Sequence, residues 1–240
     1  MSKKENLNKK NILIEVICSF VFNEDFFPDF ETFSFFYRKV NDLYPVYTEE
    51  LLPNVNFSNS NNTFEYQLKL RKGILLYSED KKRLLQIFPG NILINTLGYP
   101  GWDKFKSRIE LIYPMILESF KYQNLKSLTL RYVNKITILD KNIDLRDHFN
   151  LYPFFNKDLL KEIKSFNLET VFTYEQDIIK INFRSLDYFQ DFKDFILDIF
   201  YEIPKVSTIQ KEEVMNLLDR AHDVLKKVFQ DIIKQNLEIK

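Results

Sequence analysis

A chain of 240 residues and 29.0 kDa holds one large domain or two small ones sharing a core. Its 34 Lys and Arg balance 34 Asp and Glu, so no net field draws it to a nucleic-acid backbone or an anionic membrane. With 45% hydrophobic and 16% aromatic residues, including 24 Phe and 13 Tyr, the composition excludes intrinsic disorder and supplies a packed core.

Residues 1–11 read as a disordered basic tail carrying Lys3, Lys4, Lys9 and Lys10. Ile12 to Asn23 then alternates at period two, with Ile12, Ile14, Val16, Cys18, Phe20 and Phe22 on one face and an apolar second face, which predicts a central strand. Asp29 is placed to cap a helix carrying Phe30, Phe33, Tyr37, Val40 and Tyr44, with Pro45 as its stop. Pro53 to Asn62, rich in Asn and Ser, reads as a loop. Phe64, Tyr66, Leu68 and Leu70 alternate with polar residues as a strand, and Arg83 to Phe88 and Asn91 to Leu97 form a hairpin through Pro89-Gly90. Trp102, Phe105, Ile109, Ile112, Ile116 and Phe120 make one apolar helical stripe, which Pro114 should kink or interrupt.

The second half repeats this order. A strand at Leu128 to Leu139 precedes a helical region from Ile143 to Ile163 broken at Pro153, and strands follow near Leu168 to Tyr174, Ile178 to Arg184 and Phe195 to Ile203. An amphipathic helix from Lys211 to Leu237 closes the chain. Residues 12–124 and 125–240 thus read as two β-α-β-β-β-α halves. The expected fold is α+β, with duplicated units joined into one curved antiparallel sheet or barrel packed on long helices with pseudo-two-fold symmetry.

Cys18, His148 and His222 are the whole stock of cysteine and histidine, too few for an intrachain disulfide or a tetrahedral zinc site. Neither a phosphate-binding loop nor a dinucleotide-binding glycine turn occurs, so no cofactor is expected. The absence of a signal peptide and of long apolar runs points to the cytoplasm without membrane contact. The abundance of Asn, Lys, Ile and Phe is that of an AT-rich bacterial genome.

Glu15 in the first strand, the string Gly98-Tyr99-Pro100-Gly101-Trp102-Asp103-Lys104-Phe105, the string Leu130-Arg131-Tyr132-Val133-Asn134, and Ala221-His222 followed by Phe229 form a constellation spanning nearly the whole chain. It resembles a sporadically distributed bacterial family of uncharacterised proteins, with Ala221 standing where that pattern carries a larger apolar residue. The resemblance implies no activity. A spotty distribution is compatible with mobile-element or phage-defence neighbourhoods.

The candidate binding residues are Arg131, Asn134, Tyr132, Trp102, Tyr99 and Glu15. A Glu15–Arg131 ion pair across neighbouring strands is the favoured structural reading, and an anion site at Arg131 the alternative. Asn134 needs partners among apolar neighbours, whereas Tyr99 and Trp102 fit packing at a helix start. His222 reads as a helix-boundary residue, and His148 as solvated polarity at a helix end. No catalytic or metal site is assigned. The leading functional expectation is a non-enzymatic subunit that binds another protein. A small-ligand sensor with a pocket between the halves is the alternative, ahead of a nucleic-acid binder on the concave sheet. Self-association through the last helix is left open.

Overall fold

Strand β1 (Leu13–Phe22) buries Val16, Cys18, Phe20 and Phe22 on one face, and its half-buried opposite face fits a strand with neighbours on both sides. The computed structural model describes residues 13–23, 27–60, 63–122, 124–138, 145–151, 165–186, 193–206 and 208–234, with the backbone alone at 52–71 and 193. Helix α1 (Phe30–Val40) starts at Asp29, whose Oδ1 accepts a hydrogen bond from the Thr32 amide at 2.8 Å. It ends before Tyr44, which is nonetheless fully buried. Phe33, Phe36 and Val40 supply the buried contacts of this helix, and the predicted Phe30 is exposed.

One prediction fails here. The expected loop at Pro53 to Asn62 is mostly strand: β2 (Val46–Ser60) and β3 (Thr63–Tyr77) pair residue for residue from Val46–Tyr77 to Ser60–Thr63. β2 is a terminal strand of the sheet, where proline does not break a ladder and where backbone pairing to a single neighbour tolerates polar side chains. β4 (Arg83–Phe88) and β5 (Asn91–Leu97) have the predicted bounds, turning at Gly90 with φ 62°. Helix α2 (Trp102–Phe120) buries the predicted stripe from Phe105 to Phe120 and runs on through Pro114 without ending there.

β6 (Leu125–Ile138) lies against β1. It is followed by a short helix α3 (Leu145–His148), then β7 (Asn167–Tyr174), β8 (Asp177–Ser185), β9 (Lys193–Ile203) and helix α4 (Lys211–Ile232). The expected break at Pro153, the helical stretch between 152 and 163, the basic tail and the end of the last helix at Leu237 lie outside the described residues.

The described strands form one sheet of nine, in the order β2-β3-β4-β5-β1-β6-β9-β8-β7, with every pairing antiparallel. The protein is therefore mixed α+β, with four helices among the described residues. Helices α2 and α4 pack on the face that carries Val16, Cys18, Phe20, Leu130 and Leu197. Phe20 stacks on Tyr113 of α2 at 4.9 Å, and Phe36 of α1 meets Phe120 of α2 at 4.9 Å. At the far end Phe149, Phe166, Phe183 and Phe195 form an aromatic cluster beneath the end of α4, where Asn150 N–H donates to Ile232 O at 2.7 Å.

Candidate functional site

The string from Gly98 to Trp102 is a backbone device. Gly98 (φ 67°) and Gly101 (φ 98°) adopt left-handed conformations that a side chain would strain, and Gly98 N–H bonds to Ile14 O at 2.8 Å. The loop thus holds Tyr99 and the first residue of α2, Trp102, beside the start of β1. Trp102 Nε1 donates to Asp219 Oδ1 at 2.8 Å, and Asp219 also pairs with Lys106 Nζ at 2.6 Å. The Trp102 indole stacks on the His222 ring, with centroids 4.5 Å apart and planes at 7°.

Three elements close around this stack. α4 presents His222, Lys226 and Phe229 at positions i, i+4 and i+7, on one side of the helix. β6 contributes Tyr132 and Asn134, alternate residues on its helix-covered face, and β1 contributes Leu13. With Tyr99 and Trp102 they line a pocket of about 350 Å³.

A hydrogen bond links two of its polar groups. Tyr132 Oη lies 2.6 Å from His222 Nδ1. Burial, reinforced by the neighbouring Tyr99 phenol, pushes the Tyr132 pKa far up, so the phenol keeps its proton, and we assign it as the donor to Nδ1. Burial pushes the His222 pKa down from its ordinary 6.5; Asp223, Asp219 and Asp103 oppose this and Lys226 adds to it. His222 is then a neutral imidazole at neutral pH, accepting at Nδ1 and carrying its proton on Nε2. Asn134 Nδ2 donates to Leu197 O at 3.0 Å, the network expected of a buried amide, and leaves its carbonyl oxygen to accept.

This arrangement has a pH signature. A histidine whose folded pKa lies below its unfolded value contributes stability that is complete above pH 6.5 and is lost as pH falls through the folded value. Melting temperatures measured from pH 7.5 down to pH 5 should therefore fall less steeply for His222→Gln than for the wild type. Parallel curves would show that His222 titrates alike in both states.

Glu15 and Arg131 take no part in the pocket. Arg131 precedes Tyr132 and so faces the other side of the sheet. The expected Glu15–Arg131 pair is replaced there: Arg131 Nε donates to Asp198 Oδ1 at 2.8 Å and its Nη2 to Oδ2 at 2.5 Å, a two-pronged contact with β9. Glu15 instead accepts a hydrogen bond from Asn95 Nδ2. The strands do lie side by side, but the register puts Ile17 opposite Arg131 and Val133 opposite Glu15. Arg131, Asp198, Lys180 and Asn182 border a smaller pocket of about 190 Å³. Arg131→Ala strands the mostly buried Asp198 carboxylate and should cost about 1–3 kcal/mol in urea unfolding. A cost below about 0.5 kcal/mol would mark the pair as surface decoration.

Lys226 and Leu13 were not singled out from sequence, and His222 was read as a boundary residue. The signal for the α4 residues was a second stripe, 222-226-229, running beside the core stripe of Leu218, Ala221 and Leu225. Ala221, the small residue in the constellation, is buried against the core. Among the described residues no group of three or more His, Cys, Asp or Glu is arranged to hold a metal, and no helix is long and apolar enough to cross a membrane. The sequence matches no protein-family model and no curated protein.

Proposed function

We propose that the chain is a small-ligand-binding module whose ligand occupies the pocket between α2, α4, β1 and β6. The observation that carries this reading is a cavity of about 350 Å³ with aromatic walls and three convergent polar groups, within the range usual for small-molecule sites. Leu13, Tyr99 and Trp102 belong to the first half of the chain, while Tyr132, Asn134, His222, Lys226 and Phe229 belong to the second. The site is thus the junction of two halves that we read as a duplicated unit: β1 and β6 are central neighbours, with β5 and β9 on their outer sides. Tyr99, Trp102, Tyr132, Asn134, His222 and Phe229 of the family-like constellation meet here, which supports taking these six as a site signature. A fragment panel followed by saturation-transfer NMR tests the reading. Wild type should bind fragments that Leu13→Trp, which fills the pocket from its rim, no longer binds; equal binding by both would overturn it.

A second reading, a protein-interaction subunit, is favoured by β7, which is a terminal strand among the described residues. Terminal strands are protected by lysine, proline or bulges; β7 has none of these and exposes Val171, Phe172 and Tyr174 at 56%, 44% and 46%. If this edge pairs with another chain, Phe172→Lys should abolish association seen by analytical ultracentrifugation, alone or with co-purified proteins. Unchanged sedimentation would remove β7 from the interface. The nucleic-acid reading draws less support, since Arg131, Lys135 and Lys180 on the open sheet face each lie beside a carboxylate.

A further inference from the structure

Resting on the ligand-binding reading, we infer that the pocket takes a small organic carboxylate with an aromatic or compact apolar body, its head group held between Lys226 Nζ and His222 Nε2–H. The walls decide the body: Tyr99, Tyr132 and Phe229 offer ring faces and edges and no charge. The polar groups decide the head. Tyr132 Oη occupies His222 Nδ1, and with the phenol assigned as the donor the imidazole has Nε2–H left to offer the cavity. Lys226, one helical turn further along α4, is an exposed ammonium that makes no ion pair within 4.0 Å among the described residues.

No acidic side chain lines the pocket. Of the carboxylates around His222, Asp219 is held by Lys106 and by the Trp102 indole N–H, and Asp103 and Asp223 stand outside the lining. Two donors, one of them cationic, with no lining carboxylate form a cradle for an anion at the α4 end. The Asn134 carbonyl oxygen, left over after its amide bonds to the backbone, faces a hydroxyl or amine hydrogen of the same ligand. A cation would meet Lys226 head-on, and a neutral amide would satisfy the donors without using the charge.

Trp102 is the single tryptophan of the chain and is itself a wall of the pocket, so intrinsic fluorescence reads occupancy without a label. The full chain is titrated with phenylacetate, phenylacetamide and benzylamine, with melting temperature as a second readout. Phenylacetate should bind at least about tenfold more tightly than phenylacetamide, and Lys226→Met should erase most of that advantage by weakening phenylacetate far more than the amide. Lys226 is exposed, so this variant should keep the wild-type melting temperature; if it does not, Lys226→Gln repeats the comparison. Equal affinity for acid and amide, or tightest binding of the amine, overturns the carboxylate class and leaves the pocket a ligand site. If none of the probes binds and the fragment panel also fails, the ligand-binding reading falls with it.

Discussion

Phe183→Ala should destabilise the protein by about 3–5 kcal/mol, more than any other single substitution considered for this chain. Phe183 is fully buried in β8, with its ring 4.6 Å from Phe149, 5.1 Å from Phe166 and 5.7 Å from Phe195. Removing it takes away both the transfer free energy of an aromatic ring and the contacts of three neighbours, which β-sheet backbone cannot close around. The loss falls on a cluster joining the residue after α3, β8 and β9 to the end of α4, where Phe149 and Ile233 also form a backbone bridge. Urea unfolding should show a lowered midpoint, and Phe183→Leu, which refills most of the volume, should recover more than half of the loss. A cost under about 1 kcal/mol for the alanine variant would mean that this end of the sheet is loosely packed.

Asp177→Ala is expected to cost about 2–4 kcal/mol. The Asp177 carboxylate, 4% exposed, accepts from Tyr201 Oη at 2.5 Å and from Arg220 Nη2 at 2.7 Å, tying β8 and β9 to α4. Without it the Tyr201 hydroxyl is left in the core with no acceptor. Tyr201→Phe removes the hydroxyl and leaves the ion pair, so it should cost only about 1 kcal/mol, and the double variant should cost less than the sum of the two. Strict additivity in a double-mutant cycle would show that the two groups do not interact in solution. Arg220 is half-exposed, which is why its own removal should matter less than that of the aspartate.

Elements with strong periodicity were legible in the sequence. The β4–β5 hairpin, the α2 stripe and the β8 alternation follow from which residues must leave water, and that preference is written locally. β2 was not, because its Asn- and Ser-rich stretch pairs through backbone groups in a terminal strand and offers no apolar alternation to read. The same division runs through the site. Tyr99, Trp102, Tyr132 and Asn134 could be nominated one by one, yet Arg131 and Glu15 had to leave the group, since consecutive strand residues face opposite ways. Arg131's true partner, Asp198, lies 67 positions along the chain and becomes its neighbour only through the β6–β9 register.

Composition, charge balance and periodicity by themselves determined an α+β protein with an aromatic core, because burial of apolar surface depends on residue type and local spacing. Only the tertiary structure decided that Trp102 lies on His222, that Tyr132 reaches Nδ1 of that histidine, and that Lys226 lines the same cavity. The stack alone joins residues 120 positions apart in the chain, and nothing in a local pattern measures such a distance in space.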